Sequence, residues 1–198
     1  MGEWAAARGA EVELVRAPEV GAWPEPTGAD AIVALGSDRS VHASTDPWIE
    51  PELEFLRAAH AADVPVLGIC FGAQALAAAL GGTVARAPVA EIGWYDIPGV
   101  DGYAGRWFSW HEDAFTLPPG AHELAGNEVG PQAFAIGRSV GVQFHPEVTA
   151  AIVEGWLHAG RDSVPDPEPI RRQTAREAGA ARERALALFD AVAASWVR

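Results

Sequence analysis

No lysine occurs anywhere in the 198 residues; all 14 basic side chains are arginine. That absence excludes Schiff-base chemistry and a phosphate-cradling P-loop lysine. Cysteine occurs once, at Cys70, so no intrachain disulfide can form, which fits a reducing cytoplasm. Positive charge is scarce overall. A net charge of −13 argues against a nucleic-acid or anionic-membrane surface. Long apolar runs are missing too: the most apolar stretch, Val64 to Leu80, is broken by Pro65, Gly68, Gly72 and Gln74 and is too short for a membrane span. Met1 to Ala10 lacks the apolar core of a signal peptide. Internal repeats, low-complexity tracts and clusters of metal-ligating residues are also lacking. The expectation is a single cytoplasmic domain over 1–198 with a sizeable core and no metal site.

What is present centres on Val64-Pro-Val-Leu-Gly-Ile-Cys70-Phe-Gly-Ala-Gln-Ala-Leu76. It begins as a short apolar run, the pattern of a buried strand, and continues into an Ala/Leu-rich stretch that favours helix. Gly68 and Gly72 flank the cysteine, as a sharp strand-to-helix turn requires where the crowded backbone leaves no room for Cβ atoms. Such a turn sets the sulfur beside a helix N-terminus, which favours thiolate. The Phe71 N–H is then placed to donate to an oxyanion. A buried structural cysteine is the competing reading.

A second stretch, Val140-Gly-Val-Gln-Phe-His145-Pro-Glu147, is another apolar strand, ending in a histidine and a glutamate two residues apart. An extended backbone puts residues i and i+2 on one side, so Glu147 can hold the His145 ring while its other nitrogen faces a thiol. Pro146 stiffens that geometry. Cysteine, histidine and an acid form the usual set for an activated sulfur nucleophile. The competing reading has His145 capping the helix that follows.

Gly68–Gln74 and Gly141–Glu147 together resemble the nucleophile and His-Glu motifs of class I (triad) glutamine amidotransferases. Glu91-Ile-Gly-Trp-Tyr95, Trp110-His-Glu-Asp113 and Leu117-Pro-Pro-Gly-Ala121 are similar to segments of its stand-alone members related to the glutaminase part of GMP synthetase. The resemblance runs from about Ala31 to the C-terminal helix. It implies that Cys70 attacks the glutamine side-chain amide to give a γ-glutamyl thioester and ammonia, with His145 as base and proton donor and Glu147 orienting it. It implies no cofactor. The oxyanion would be held by the Phe71 N–H and one from Gly36-Ser37, where the family usually carries a Gly-Gly pair. Substrate contacts fall on Gln74, whose alternative role is a helix N-terminal contact, and on the Trp110, Glu112 and Asp113 segment, which lies where the family's backbone binds the α-carboxylate and α-amino group. His111 shapes the site. A glycine is common where Glu112 stands; a carboxylate pointing inward would repel substrate unless paired, with Arg106 and Arg138 as candidate partners. The aromatic cluster Trp94, Tyr95, Trp107, Phe108 and Trp110 either roofs the pocket or packs the core.

The rest of the chain reads as an open, mostly parallel (flavodoxin-like) α/β sheet with helices on both faces. Glu3–Arg8 is expected to be a helix, Glu11–Arg16 an alternating strand and Ala31–Leu35 a buried strand. Glu52–Ala62 is expected to be a helix, as are Thr149–Ala159 and Ile170–Trp196, the last with Leu186, Phe189, Val192 and Trp196 on its docking face. Thr83–Arg86, Trp94–Ile97, Trp107–Trp110 and Ala133–Ile136 are expected as antiparallel additions at one end of the sheet. Asp162–Pro169 reads as a linker. The family's sheet usually begins with a strand before the first helix; this chain starts inside that helix, so an apolar sheet edge is expected to lie open. Without a nucleotide-binding motif, ammonia would pass to a separate partner such as a synthetase subunit, or the enzyme would act alone. Two other functions stay open: hydrolysis of another γ-glutamyl amide, and a weakly active regulatory or binding module of the same fold.

Overall fold

The computed structural model describes residues 1–43, 45–160 and 164–196. Along the chain run α1 (Gly2–Ala7), β1 (Ile32–Ala34), α2 (Ile49–Ala61), β2 (Val66–Ile69), α3 (Phe71–Ala79), β3 (Val84–Ile97) and β4 (Gly105–Phe115). There follow β5 (His122–Asn127), β6 (Gly130–Ile136), β7 (Ser139–Val142), α4 (Ala150–Ala159) and α5 (Glu168–Trp196). Five strands form one sheet in the order β1-β2-β7-β6-β5.

β2 is an apolar run buried along its whole length, as befits a central parallel strand covered on both faces. β1 pairs parallel with it on one side, and β7 on the other, with Leu67 beside Val140 and Ile69 beside Val142. Alternation along β2 sends Val66 to one face, where α2 and α3 bring Leu53, Leu56 and Leu76. Leu67 and Ile69 join a second cluster with Val140, Val142 and the α5 residues Leu188, Phe189 and Val192. The sheet is thus an open α/β sheet with helices on both faces, and its parallel strands all point their carboxyl ends the same way.

The structure departs from the sequence reading in several places. Glu11–Arg16 is not a strand: it has no neighbour to pair with, and Val12 and Leu14 are each 67% exposed. An alternating pattern makes a strand only where a sheet edge receives it. β1 is one of the two edge strands, the other being β5, and Val33 and Leu35 are exposed at or just beyond β1. The antiparallel pieces divide in two: β5 and β6 extend the main sheet, whereas β3 and β4 form a separate ribbon whose register slips between Arg86 and Glu91. On α5 the fully buried leucine is Leu188, and Leu186 is only half-buried, because Ala181, Ala185 and Leu188 continue the buried stripe. Asp162 and Ser163 of the expected linker lie outside the described residues. Among the described residues no helix is long and apolar enough to cross a membrane.

Candidate active site

β2 ends at Ile69 and α3 begins at Phe71, leaving Cys70 alone to turn the chain. Its backbone takes φ 53° and ψ −110°, a left-handed conformation that non-glycine residues adopt only where surrounding structure holds them. The flanking glycines make the turn possible by close approach. A Cβ on Gly68 would sit 2.5 Å from the Gly72 carbonyl oxygen, and one on Gly72 would sit 2.1 Å from the Ala34 carbonyl oxygen. The Cys70 N–H donates to the Val142 carbonyl at 2.8 Å, tying the turn to β7.

β7 ends at Val142, short of the strand the sequence suggested; the chain bends at Gln143-Phe144 and turns at Pro146-Glu147, so a turn, and not an extended strand, brings Glu147 back to His145. The His145 N–H donates to the Phe108 carbonyl on β4 at 2.8 Å, which fixes the histidine between the sheet and the ribbon. His145 Nδ1 lies 2.7 Å from Glu147 Oε1. The ring is buried, and the Cys70 side chain lies near it beneath Gly36. Burial pushes His145 down, but the sulfur of Cys70 and the carboxylate of Glu147 outweigh it and raise the group to about 10. The Cys70 thiol also donates toward the Trp110 carbonyl, 3.7 Å away.

Gly36, on the loop after β1, lies directly over this pair: a Cβ there would be 3.1 Å from His145 Cε1 and 3.7 Å from Cys70 Cβ. Ser37 is half-buried, and its hydroxyl accepts the Arg39 N–H at 3.1 Å. Phe71 opens α3, with its ring against Trp48.

Gln74 is buried one turn into α3. Its side-chain nitrogen donates to the Asp113 carbonyl and to Gln143 Oε1, each at 3.1 Å. Gln143 opens the bend that follows β7 and leads to His145. Behind the ribbon strand β4, His111 faces the Asp113 carbonyl through Nδ1 at 2.9 Å and Glu91 Oε2 through Nε2 at 3.0 Å. A carbonyl only accepts, so Nδ1 carries a hydrogen. Glu91 also accepts from Asn127 at 2.8 Å and Gln132 at 2.9 Å. Burial pushes the Glu91 carboxyl up, but His111, Asn127 and Gln132 together hold it below the ordinary carboxylate range. His111 therefore buttresses the strand from behind.

Glu112 does not pair with Arg106 or Arg138. Its carboxylate is 2.6 Å from Arg86 on β3. Arg106 instead serves Asp96 and Glu177, and Arg138 reaches Asp63 and the Trp196 carbonyl. Neither alternative was open, because the β3–β4 register puts Arg86 beside Asp113, next door to Glu112. Of the aromatic cluster, Trp94, Trp107 and Phe108 are core residues, Trp107 stacking on Phe144 at 4.6 Å. Phe108 bears on the site through the carbonyl that holds the His145 N–H, and Trp110 through its own carbonyl and through Trp156 of α4, whose ring meets those of Trp110 at 6.2 Å and His145 at 4.7 Å. Trp156 carries no sequence signal beyond lying on a helix that follows the His-Pro-Glu turn.

An open α/β sheet that brings a cysteine at a strand-to-helix turn beside a histidine–glutamate pair defines a thiol-based hydrolase-like site. Residues 4–153 match the model of the family described as glutamine amidotransferase class-I, and the chain belongs to that family. Among solved structures it is similar to a glutamine amidotransferase from Methylobacillus flagellatus. That match has TM-score 0.90 and 26% identity, covering 100% of this chain and 89% of the other. It is also similar to one from Thermotoga maritima, with TM-score 0.85 and 26% identity over 96% and 90% of the two chains. Among curated proteins it is 38% identical to the glutamine-hydrolyzing GMP synthase of Thermus thermophilus over 78% of this chain and 32% of that protein. A Parafrankia GMP synthase is 40% identical over 60% of this chain and 23% of its own length. The chain thus spans about a third or less of the GMP synthases it matches.

Proposed function

We propose that this chain hydrolyses the side-chain amide of glutamine, with Cys70 as nucleophile, His145 as proton carrier and Glu147 orienting the imidazole. One observation carries the reading: a buried imidazole, held by Glu147 at 2.7 Å, adjoins the sulfur at the turn between β2 and α3. In this scheme the Cys70 thiolate attacks the amide carbon, and the carbonyl electron pair moves onto oxygen. The oxyanion is met by the Phe71 N–H and by an amide of Gly36-Ser37. When the tetrahedral species collapses, the C–N bond breaks, His145 gives its proton to the departing nitrogen, and ammonia leaves a γ-glutamyl thioester. Water then attacks the thioester carbon while His145 takes one of its protons. The C–S bond breaks, the thiolate returns and glutamate is released.

Substrate would lie over Trp110 and the adjoining β4 backbone, with Gln74 bracing that backbone from below. The scheme calls on no metal or organic cofactor. The ammonia is proposed to pass to a separate synthetase subunit, in keeping with the similarity to glutamine-hydrolyzing GMP synthases. The purified chain should release ammonia and glutamate in equal amounts from glutamine, and faster than from other γ-glutamyl amides. Cys70→Ala should lower the rate by about 10³-fold or more. Release that survives Cys70→Ala, or a clear preference for another γ-glutamyl amide, would overturn the reading.

A further inference from the structure

The loop after β1 carries Gly36 over the sulfur and imidazole, yet its surroundings are mostly solvent: Leu35, Gly36, Asp38 and Arg39 are all exposed. Such a loop does not hold an amide in place by packing. Four residues beyond Gly36 it turns inward. The Ser40 hydroxyl accepts the Ala43 N–H at 3.2 Å, so its own hydrogen is free to go to Asp113 Oδ2, 2.5 Å away. His42 Nε2 lies 3.2 Å from the other oxygen, Oδ1, and a carboxylate only accepts, so that nitrogen donates. Asp113 is itself buried, and its carbonyl accepts from Gln74 of α3 and from His111. One residue therefore joins the loop over the site to the strand beside it and to the helix that starts at the nucleophile.

We propose that Ser40 and His42 are positioning residues which, through Asp113, latch the loop bearing Gly36 and Ser37 so that its amide faces the developing oxyanion. Asp113 is then a loop anchor, and its carboxylate is not the group that receives the substrate's ammonium. This rests on the glutaminase reading for its kinetic consequence, but the latch itself does not depend on that reading. The carboxylate is the natural hub because it is buried, whereas the loop's own ion pairs, Arg39 with Asp38 and Asp46, lie at an exposed arginine where water screens them.

The test uses the full chain carrying Ser40→Ala, His42→Ala, the double variant and His42→Asn, whose amide can still donate. Backbone hydrogen exchange over residues 36–41 should quicken at least tenfold in the double variant and return toward wild type in His42→Asn. The kcat for glutamine should fall about tenfold in the double variant with KM within twofold, since only transition-state contacts are lost. Alkylation of Cys70 by iodoacetamide, which needs no oxyanion hole, should be unchanged. Unaltered exchange in the double variant would remove the latch, whether or not the chain hydrolyses glutamine. Quickened exchange with unaltered kcat would remove its role in positioning the oxyanion amide. A change confined to KM would return Asp113 to the substrate's ammonium and overturn the proposal. Wild-type protein that shows the latch by exchange but releases no ammonia from glutamine would count against the proposed function alone.

Discussion

Cys70, His145 and Glu147 were legible because each lies inside a short motif whose local geometry sets its direction. The first turn needs its two glycines; the His145–Glu147 pair was legible from its spacing, although the chain turns at Pro146-Glu147 where a strand was expected. His145 is the residue where charge matters most. Its folded value of about 10 lies above the ordinary 6.5, so the stabilisation from its protonated form is complete below about 6.5, declines as pH rises from there, and is gone above about 10. Removing the imidazole removes the countercharge of the sulfur. His145→Ala is expected to slow Cys70 alkylation by iodoacetamide at pH 7 by about tenfold or more, with the gap closing toward pH 10 as hydroxide deprotonates the thiol unaided. Equal rates in the two proteins at pH 7 would show that the pair does not lower the thiol's proton affinity. Ser40 and His42 escaped the sequence because nothing local marks them: their partner is more than seventy residues away.

At the level of elements, β2, α3, β7 and α4 follow from apolar runs bounded by glycine, proline or a capping threonine. Thr149, for instance, accepts the Ile152 N–H as the N-cap of α4. The β3–β4 ribbon was the hard part. Its pairing is fixed by a slip between Arg86 and Glu91 that no periodicity announces, and that slip decides who meets Glu112. Because Glu112 pairs with Arg86 across an exposed face, it has no charge left to turn on the substrate. Glu112→Gly should therefore give a kcat/KM for glutamine no higher than wild type. Its stability cost should be about 1 kcal/mol, mainly from glycine in a strand and less from the lost surface pair. A several-fold rise in kcat/KM would show that the carboxylate does obstruct the site.

Across the whole molecule, the layer arrangement was readable from alternating strands and helices, whereas the unpaired Glu11–Arg16 segment was not, since pairing is a property of the neighbour. Buried acids set the pH response of the fold. Glu52 on α2 is 9% exposed, and burial raises its carboxyl to about 7. A carboxyl raised on folding binds its proton more tightly in the native state, so stability falls as pH climbs from about 4.5 to 7 and then levels. The shift corresponds to at most about 3 kcal/mol. Glu52→Gln should stabilise the protein against urea at pH 8 by about 1–3 kcal/mol and have little effect at pH 4.5. An equal gain at both values would point to packing and away from charge.

The parallel register of β2 with β7 also has a bearing on biosynthesis. Cys70 is made early, but the strand that delivers its imidazole comes some seventy residues later, after the whole ribbon and two antiparallel strands. A ribosome-bound chain that has extruded β2 and α3 carries a thiol without its countercharge, and such a thiol is mostly protonated and slow to react at neutral pH. In the proposed mechanism the imidazole reaches the sulfur only when β7 inserts between β2 and β6. On that mechanism, alkylation of Cys70 would mark completion of the sheet, and a stalled or truncated translation product would stay chemically quiet.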